Sequence, residues 1–272
     1  MKFYKMNGAG NAFVVFDARS QALRLDPERI RQIADPTEGA GADQVIVMER
    51  SLRGDVFMRI WNSDGSEVSA CGNATRCVGW LMMEETGADR TRIETAAGPL
   101  TAARAGDHLI SVDMGSPLLK WEEIPLSRRQ DTRALETSFD ALAGVPIGQG
   151  GCVNMGNPHV VFFIPDLEAV DIPTIGPRIE HHPLFPQAVN VGFAQILSSN
   201  RIRLRVWERG AGLTRACGTG ACAAVVAAVR RGLADRQATV IADGGELGIH
   251  WRGDTDRIIM TGPVELEYES RF

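Results

Sequence analysis

With 272 residues the chain is long enough for one large domain or two of ordinary size, and a hydrophobic content of 44% supplies a core. A net charge of −5 gives a nucleic-acid partner no electrostatic support. The longest apolar run, Ala221 to Val229, falls short of the roughly 20 residues needed to cross a bilayer, and the 5 cysteines, an odd number behind an N-terminus without an apolar leader pattern, read as reduced cytoplasmic thiols rather than a disulfide framework.

In chain order, "AFVVFDA" opens the β-rich runs. "RLDPERIRQIAD" has helical spacing, with Asp26 as N-cap and Pro27 at the first helical position. "QVIVMER" and "DVFMRIWN" are short strands. They precede "GNATRCVGWLMMEETG", whose apolar Ala74, Cys77, Val78, Leu81 and Met82 form one helical stripe ended by Gly87. "HLISVDMG" is a further strand. A charged, poorly periodic stretch with Pro117, Pro125 and Pro146, between Ser116 and Gly150, then reads as a connector that also contributes a strand or short helix. "HVVFFIPD" and "RIRLRVWER" resume the strands. "GTGACAAVVAAVRRG" is apolar around its whole circumference until Arg230, the pattern of a helix buried on every face. "TVIADGG", "LGIHWRGD" and "DRIIMTG" add strands bounded by Gly and Asp.

The chain repeats itself at an offset of 146 residues, which brings Ala70-Cys71-Gly72 onto Ala216-Cys217-Gly218 and Trp61 onto Trp207. The same offset brings "GNAFVVF" from Gly10 onto "GNPHVVF" from Gly156, and Gln44 onto Asn190. Three separated segments in one ungapped register point to two homologous halves. The expectation is an α+β protein of two pseudo-symmetric halves, each a strongly curved, mostly antiparallel sheet around a central helix. We place the halves at 1–117 and 118–262, with the tail 263–272 packed against the first and the active site in the cleft between them.

Two cysteines stand out. "TRACGTGACAA" lacks the lysine of a phosphate loop, and as "GTGACA" it fails the third glycine of a dinucleotide fingerprint. What remains is a cysteine ahead of unpaired backbone N–H groups at a helix start, a setting that favours an anion and lowers a thiol pKa. Cys71 and Cys217 share that setting at the same repeat position. Cys77, Cys152 and Cys222 read as buried structural residues, and no Cys-x-x-Cys pair suggests zinc or any other metal. Two equivalent thiols facing one cleft suit inversion at a carbon, one thiolate removing a proton and the opposite thiol returning one. Helix N-termini on both sides would stabilise charge building on an α-carboxylate. Only Lys2, Lys5 and Lys120 are present, none placed as a buried amine for a Schiff base, so no cofactor is expected.

Polar residues follow the same repeat: Asn11 with Asn157, Gln44 with Asn190, Asn62 with Glu208. Amides both donate and accept, which suits the ammonium and carboxylate of a zwitterion. Arg209 faces Ser63 in the repeat and breaks the symmetry, offering a bidentate partner for a second, distal carboxylate. His159 faces Phe13, so the second half alone carries a titratable ring there. His181 and His182 read as a surface turn, His108 and His250 as strand residues. Read from the residues alone, other isomerases on the same double fold, such as proline-type racemases, a non-catalytic amino-acid binding protein, and a redox switch that links the two cysteines stay open.

"GAGNAFVVFD", "ADQVIV", "NSDGSEVSACGNATRC", "GNPHVVFF", "AVNVGF" and "WERGAGLTRACGTGACAA" together resemble the diaminopimelate epimerases along the entire chain. The resemblance implies a pyridoxal-independent isomerase that interconverts LL- and meso-diaminopimelate for lysine and cell-wall precursor synthesis, in the cytoplasm and as a homodimer. It implies Cys71 and Cys217 as the catalytic pair and His159 and Glu208 as the groups that tune them. It implies substrate contacts from Asn11, Gln44, Asn62, Gly72, Asn73, Asn157, Asn190, Glu208, Arg209, Gly218 and Thr219. Tyr268 is the candidate for the family's dimer contact. Trp207 departs from the usual tyrosine before Glu-Arg-Gly.

Overall fold

The computed structural model describes residues 2–271. The chain divides into two compact units, one of Met1–Asp113 with Thr261–Phe272 and one of Met114–Met260.

The first unit runs β1 (Lys2–Gly8), β2 (Asn11–Asp17), α1 (Pro27–Ala34), β3 (Gln44–Glu49), β4 (Val56–Asn62), β5 (Glu67–Val68), α2 (Gly72–Thr86), β6 (Arg90–Thr95), β7 (Gly98–Gly106) and β8 (Leu109–Asp113). The second runs α3 (Asp140–Ala143), β9 (Gly151–Asn154), β10 (Pro158–Phe163), α4 (Ile172–Glu180), β11 (Asn190–Ser198), β12 (Arg201–Glu208), β13 (Gly212–Thr214), α5 (Gly218–Arg230), β14 (Gln237–Ala242) and β15 (Gly245–Trp251). β16 (Ile258–Pro263) carries the chain back, and β17 (Glu265–Arg271) pairs antiparallel with β1.

The ladders repeat along with the motifs. β2 and β3 run parallel with Phe13 opposite Gln44; β10 and β11 run parallel with His159 opposite Asn190. Each of these pairs is separated from its counterpart by the same 146 residues. β3–β4 and β11–β12 are antiparallel, with Val45 opposite Trp61 and Val191 opposite Trp207. β4–β6 and β12–β14 are parallel again, and the hairpins that follow are antiparallel in both units. The class is α+β, and a mostly antiparallel sheet surrounds one helix in each unit.

Those two helices are core elements. Gly72 to Val78 of α2 are buried without interruption, as are Gly220 to Ala228 of α5. α2 packs against β1, β2, β6, β7 and β8, and α5 against β9 to β12, β14 and β15. The all-round apolar sequence of α5 is what this burial requires. α1 starts as its sequence dictates: Arg29 N donates to the Asp26 side chain at 2.8 Å and Pro27 occupies the first turn. α2 ends on Gly87 with φ 70°, a left-handed cap.

The structure corrects three sequence expectations and adds two elements, β17 and α4, that the sequence analysis does not include. Lys5 is no surface amine: only 5% exposed in a strand flanked by β2 and β17, it donates to the Gly41 carbonyl. The residues after the last predicted strand form β17, because β1 offers them a free edge. The stretch from Ile172 to Glu180 is a helix, capped by Asp171 and packed on β11 to β13, although Pro173, Gly176 and Pro177 argue against one. His182 is half-buried with its ring 4.9 Å from that of Phe139, and His108 sits in the turn between β7 and β8, stacked on Trp80. The connector is part of the second unit's core, to which it supplies Ile124, Leu126, Leu135, Phe139 and Ile147.

Candidate active site

In the second unit Cys217 is the N-cap of α5, in extended backbone with φ −126°. Its carbonyl accepts from Ala221 N at 2.9 Å and its Sγ from Gly220 N at 3.3 Å. The sulfur thus takes the place an Asp or Ser oxygen holds at an ordinary cap. The fit at Gly220 is close, since a Cβ there would lie 3.2 Å from that sulfur and 3.0 Å from Val206 Cγ2 and press on both. Thr219 Oγ1 is 3.6 Å from the Cys217 sulfur and 3.1 Å from His159 Nε2, which also lies 3.0 Å from Asn157 Oδ1. Thr219, His159, Asn157 and Cys217 therefore form one connected polar cluster.

β12 and its turn bring the other candidates. Glu208 accepts from Thr214 Oγ1 at 2.5 Å and shares a hydrogen bond with the Cys217 thiol. Asn190 is buried; its Nδ2 donates to the Pro158 carbonyl at 2.8 Å and its Oδ1 accepts from Arg209 N at 3.0 Å. Arg209 Nη1 donates to the Gln187 carbonyl at 3.0 Å, with the residue exposed at the turn.

The electrostatics reverse one sequence expectation. The helix N-terminus was expected to lower the Cys217 pKa. Burial instead pushes it well above the ordinary thiol range, reinforced by the Glu208 charge and only partly opposed by Thr219 and Gly220 N. Burial also raises the Glu208 carboxyl. It holds the His159 ring down at about 3, with the Arg209 charge as a smaller contribution, so this histidine is neutral at working pH.

The first unit holds the repeat partners. Cys71 is the N-cap of α2, half-buried, its carbonyl accepting from Thr75 N at 2.9 Å and Thr75 Oγ1 at 2.7 Å. Gly72 and Asn73 form the first turn. Asn73 Nδ2 donates to Asn11 Oδ1, and Arg76 Nη1 donates to Asn73 Oδ1 at 2.8 Å. Gln44 Nε2 donates to Asn62 Oδ1 at 3.0 Å across the β3–β4 ladder. The buried Gln44 Oε1 has no hydrogen-bond partner among the described residues, an acceptor that an ammonium group would satisfy.

Each unit thus carries one thiol at the N-cap of its central helix and its own set of hydrogen-bonded polar candidates. Sequence reasoning missed Arg76, which is fully buried and anchors the amide pair. Its one sequence signal is a charge set between the apolar stripe residues Ala74 and Cys77. Cys77, Cys152 and Cys222 are buried as expected, and burial, opposed in part by the Arg76 charge, pushes Cys77 up to about 12. All five cysteines are free thiols. Among the described residues no group of His, Cys, Asp and Glu side chains is arranged to hold a metal, and no helix is long and apolar enough to cross a membrane. Tyr268 lies on β17, 44% exposed, with its ring edge against Phe3.

Known proteins resemble this chain over its length. Among solved structures, a phenazine biosynthesis protein from Bacillus anthracis superimposes with a TM-score of 0.70 at 16% identity, over 99% of this chain and 98% of that one. A hydroxyproline epimerase from Agrobacterium vitis does so with 0.66 at 16% identity, over 99% and 91%. At such identities these likenesses establish the fold alone. Sequence relatives are nearer. The diaminopimelate epimerase of Phenylobacterium zucineum is 56% identical over 99% of this chain and 97% of its own. That of Acidiphilium cryptum is 54% identical over 99% and 95%. The sequence profile of diaminopimelate epimerase matches residues 3–120 and 151–267, so the chain belongs to the diaminopimelate epimerase family.

Proposed function

We propose that this chain interconverts LL- and meso-2,6-diaminopimelate without a cofactor, with Cys71 and Cys217 as the two proton-transfer groups. The observation that carries the reading is the repeated placement of one thiol at the N-cap of each central helix, at the same position of two matching ladders. One sulfur, as thiolate, takes the α-proton from one face of the substrate carbon. The other, as thiol, delivers a proton to the opposite face, and the reverse reaction exchanges the roles.

The polar residues divide the remaining work. The N–H groups of the first turns, at Gly72, Asn73, Gly218 and Thr219, hold the reacting α-carboxylate as negative charge builds on it. Asn11, Gln44, Asn62, Asn157 and Asn190 fix the amino and carboxyl groups, and Arg209 takes the distal carboxylate. Glu208, hydrogen-bonded to the Cys217 thiol and with its own pKa raised, is the group that accepts that thiol's proton. His159, neutral, acts on the same thiol through Thr219. Cytoplasmic localisation and a homodimer built on the β17 face with Tyr268 belong to the same proposal.

Purified protein in deuterium oxide, without added cofactor, is expected to exchange the α-proton of LL- and meso-diaminopimelate. Cys71→Ala and Cys217→Ala each lower turnover by about 10²–10⁴-fold. Full epimerisation by either variant would sink the two-thiol mechanism.

A further inference from the structure

Two backbone positions bracket the Glu208–Arg209 pair: Trp207 before it and Gly210 after it. Both are held by one side chain. Trp207 Nε1 donates to Glu180 Oε2 at 2.7 Å and Gly210 N donates to Glu180 Oε1 at 2.9 Å. Glu180 is the last residue of α4 and only 4% exposed. A buried carboxylate needs partners for both oxygens, and each of these has one.

The surrounding packing serves the same contact. A Cβ at Gly176, one helical turn before Glu180, would lie 2.5 Å from Trp207 Cγ. The indole therefore rests directly on the backbone of α4. The indole N–H is a donor only, so an acceptor is required at its end, and Glu180 supplies it. The first unit lacks this device: Ala34 stands at the repeat position of Glu180, and there Arg31 of α1 donates to the Asp64 carbonyl of the matching turn instead. Ser63 stands there in place of Arg209. The carboxylate clamp thus occurs in the half that carries the arginine.

We propose that Glu180 is a positioning residue for substrate recognition: through Trp207 and Gly210 it holds the β12–β13 turn so that Arg209 is pre-set for the substrate's distal carboxylate. This rests on the reading of Arg209 given above. Preorganising a turn spares substrate binding the cost of ordering it, which appears in KM. Glu208 is secured independently by Thr214, so the clamp bears mainly on binding.

Steady-state kinetics with diaminopimelate on Glu180→Gln and Trp207→Phe test the proposal, each also in an Arg209→Ala background. An amide at 180 offers one oxygen where two donors need acceptors. Glu180→Gln is expected to raise KM about tenfold with kcat within about threefold, the scale of one hydrogen bond to a charged group. Trp207→Phe raises KM less and adds little to Glu180→Gln. Neither raises KM further once Arg209 is alanine. Wild-type KM in both variants, even with a lowered Tm, would overturn the proposal. An equal KM rise in the Arg209→Ala background would do the same. If Glu180→Gln does not fold, Trp207→Phe decides by the same criteria. Absence of diaminopimelate turnover in the wild-type protein would instead remove the functional reading, and this role with it, before any variant is compared.

Discussion

Thr219 Oγ1 lies 3.1 Å from His159 Nε2 and 3.6 Å from the sulfur of Cys217, so one hydroxyl links a neutral imidazole to a buried thiol. A threonine hydroxyl both donates and accepts, which lets it pass the orientation of the ring on to the sulfur. Thr219→Val keeps the shape and removes the link. Turnover of diaminopimelate is expected to fall roughly 10–100-fold, the value of a hydrogen bond to a charged group. Thr219→Ser is expected to stay near wild type, and equal activity of Val and Ser at this position would show that the hydroxyl does nothing.

His159 also makes a prediction about stability and pH. Its folded-state pKa is depressed from 6.5 to about 3 by burial. A group held neutral in this way contributes stability that is fully present above its unfolded pKa and is lost as pH falls toward the folded value. Between pH 6.5 and about 3 the unfolded chain binds one proton that the native ring refuses, a slope of about 1.4 kcal/mol per pH unit. Urea unfolding of wild type and His159→Gln across that window is expected to differ by this slope, with the variant flatter. Parallel pH profiles would show that the ring is protonated in the native state.

The internal repeat made much of this site readable before any coordinates. A shared offset placed Cys71 with Cys217 and Asn11 with Asn157, and the ladders of β2–β3 and β10–β11 carry the same offset in their registers. α5 was readable because a helix buried on every face leaves a continuous apolar run. What escaped were features decided by tertiary contact. α4 contains two prolines and a glycine, and its formation rests on packing against β11 to β13 rather than on propensity. Glu180, at its end, directly precedes the His181–His182 pair that reads as a surface turn. The direction of the Cys217 pKa escaped for a similar reason. The helix terminus is visible in sequence as a local pattern, whereas desolvation depends on what covers the sulfur.

Gly220 offers a test of how tightly that sulfur is held. Replacing glycine by alanine inside a helix ordinarily stabilises by about 0.5–1 kcal/mol. Here the added Cβ presses on Cys217 Sγ and Val206 at 3.2 and 3.0 Å, so the gain is offset and the strain falls on the thiol. Gly220→Ala is expected to unfold within about 1 kcal/mol of wild type while turnover falls at least about tenfold. Wild-type turnover would mean that the sulfur tolerates displacement.

Arg76 predicts the counterpart behaviour in the first unit. Its guanidinium is fully buried, donating to Asn73 Oδ1 at 2.8 Å and to the Pro263 carbonyl at 3.4 Å. With Asn73 Oδ1 occupied, the Asn73 amide nitrogen points to Asn11 Oδ1, which fixes the orientation of both amides. Arg76→Met fills similar volume but leaves the Asn73 oxygen and the Pro263 carbonyl without this donor. A loss of about 1–3 kcal/mol in unfolding free energy is expected, with a KM for diaminopimelate that rises because the amides are free to flip. Arg76→Lys restores a cation without the planar fork, so partial recovery of stability with KM still raised is the expected pattern. Recovery of both by lysine would show that charge alone, and not the orientation of Asn73 and Asn11, is what Arg76 provides.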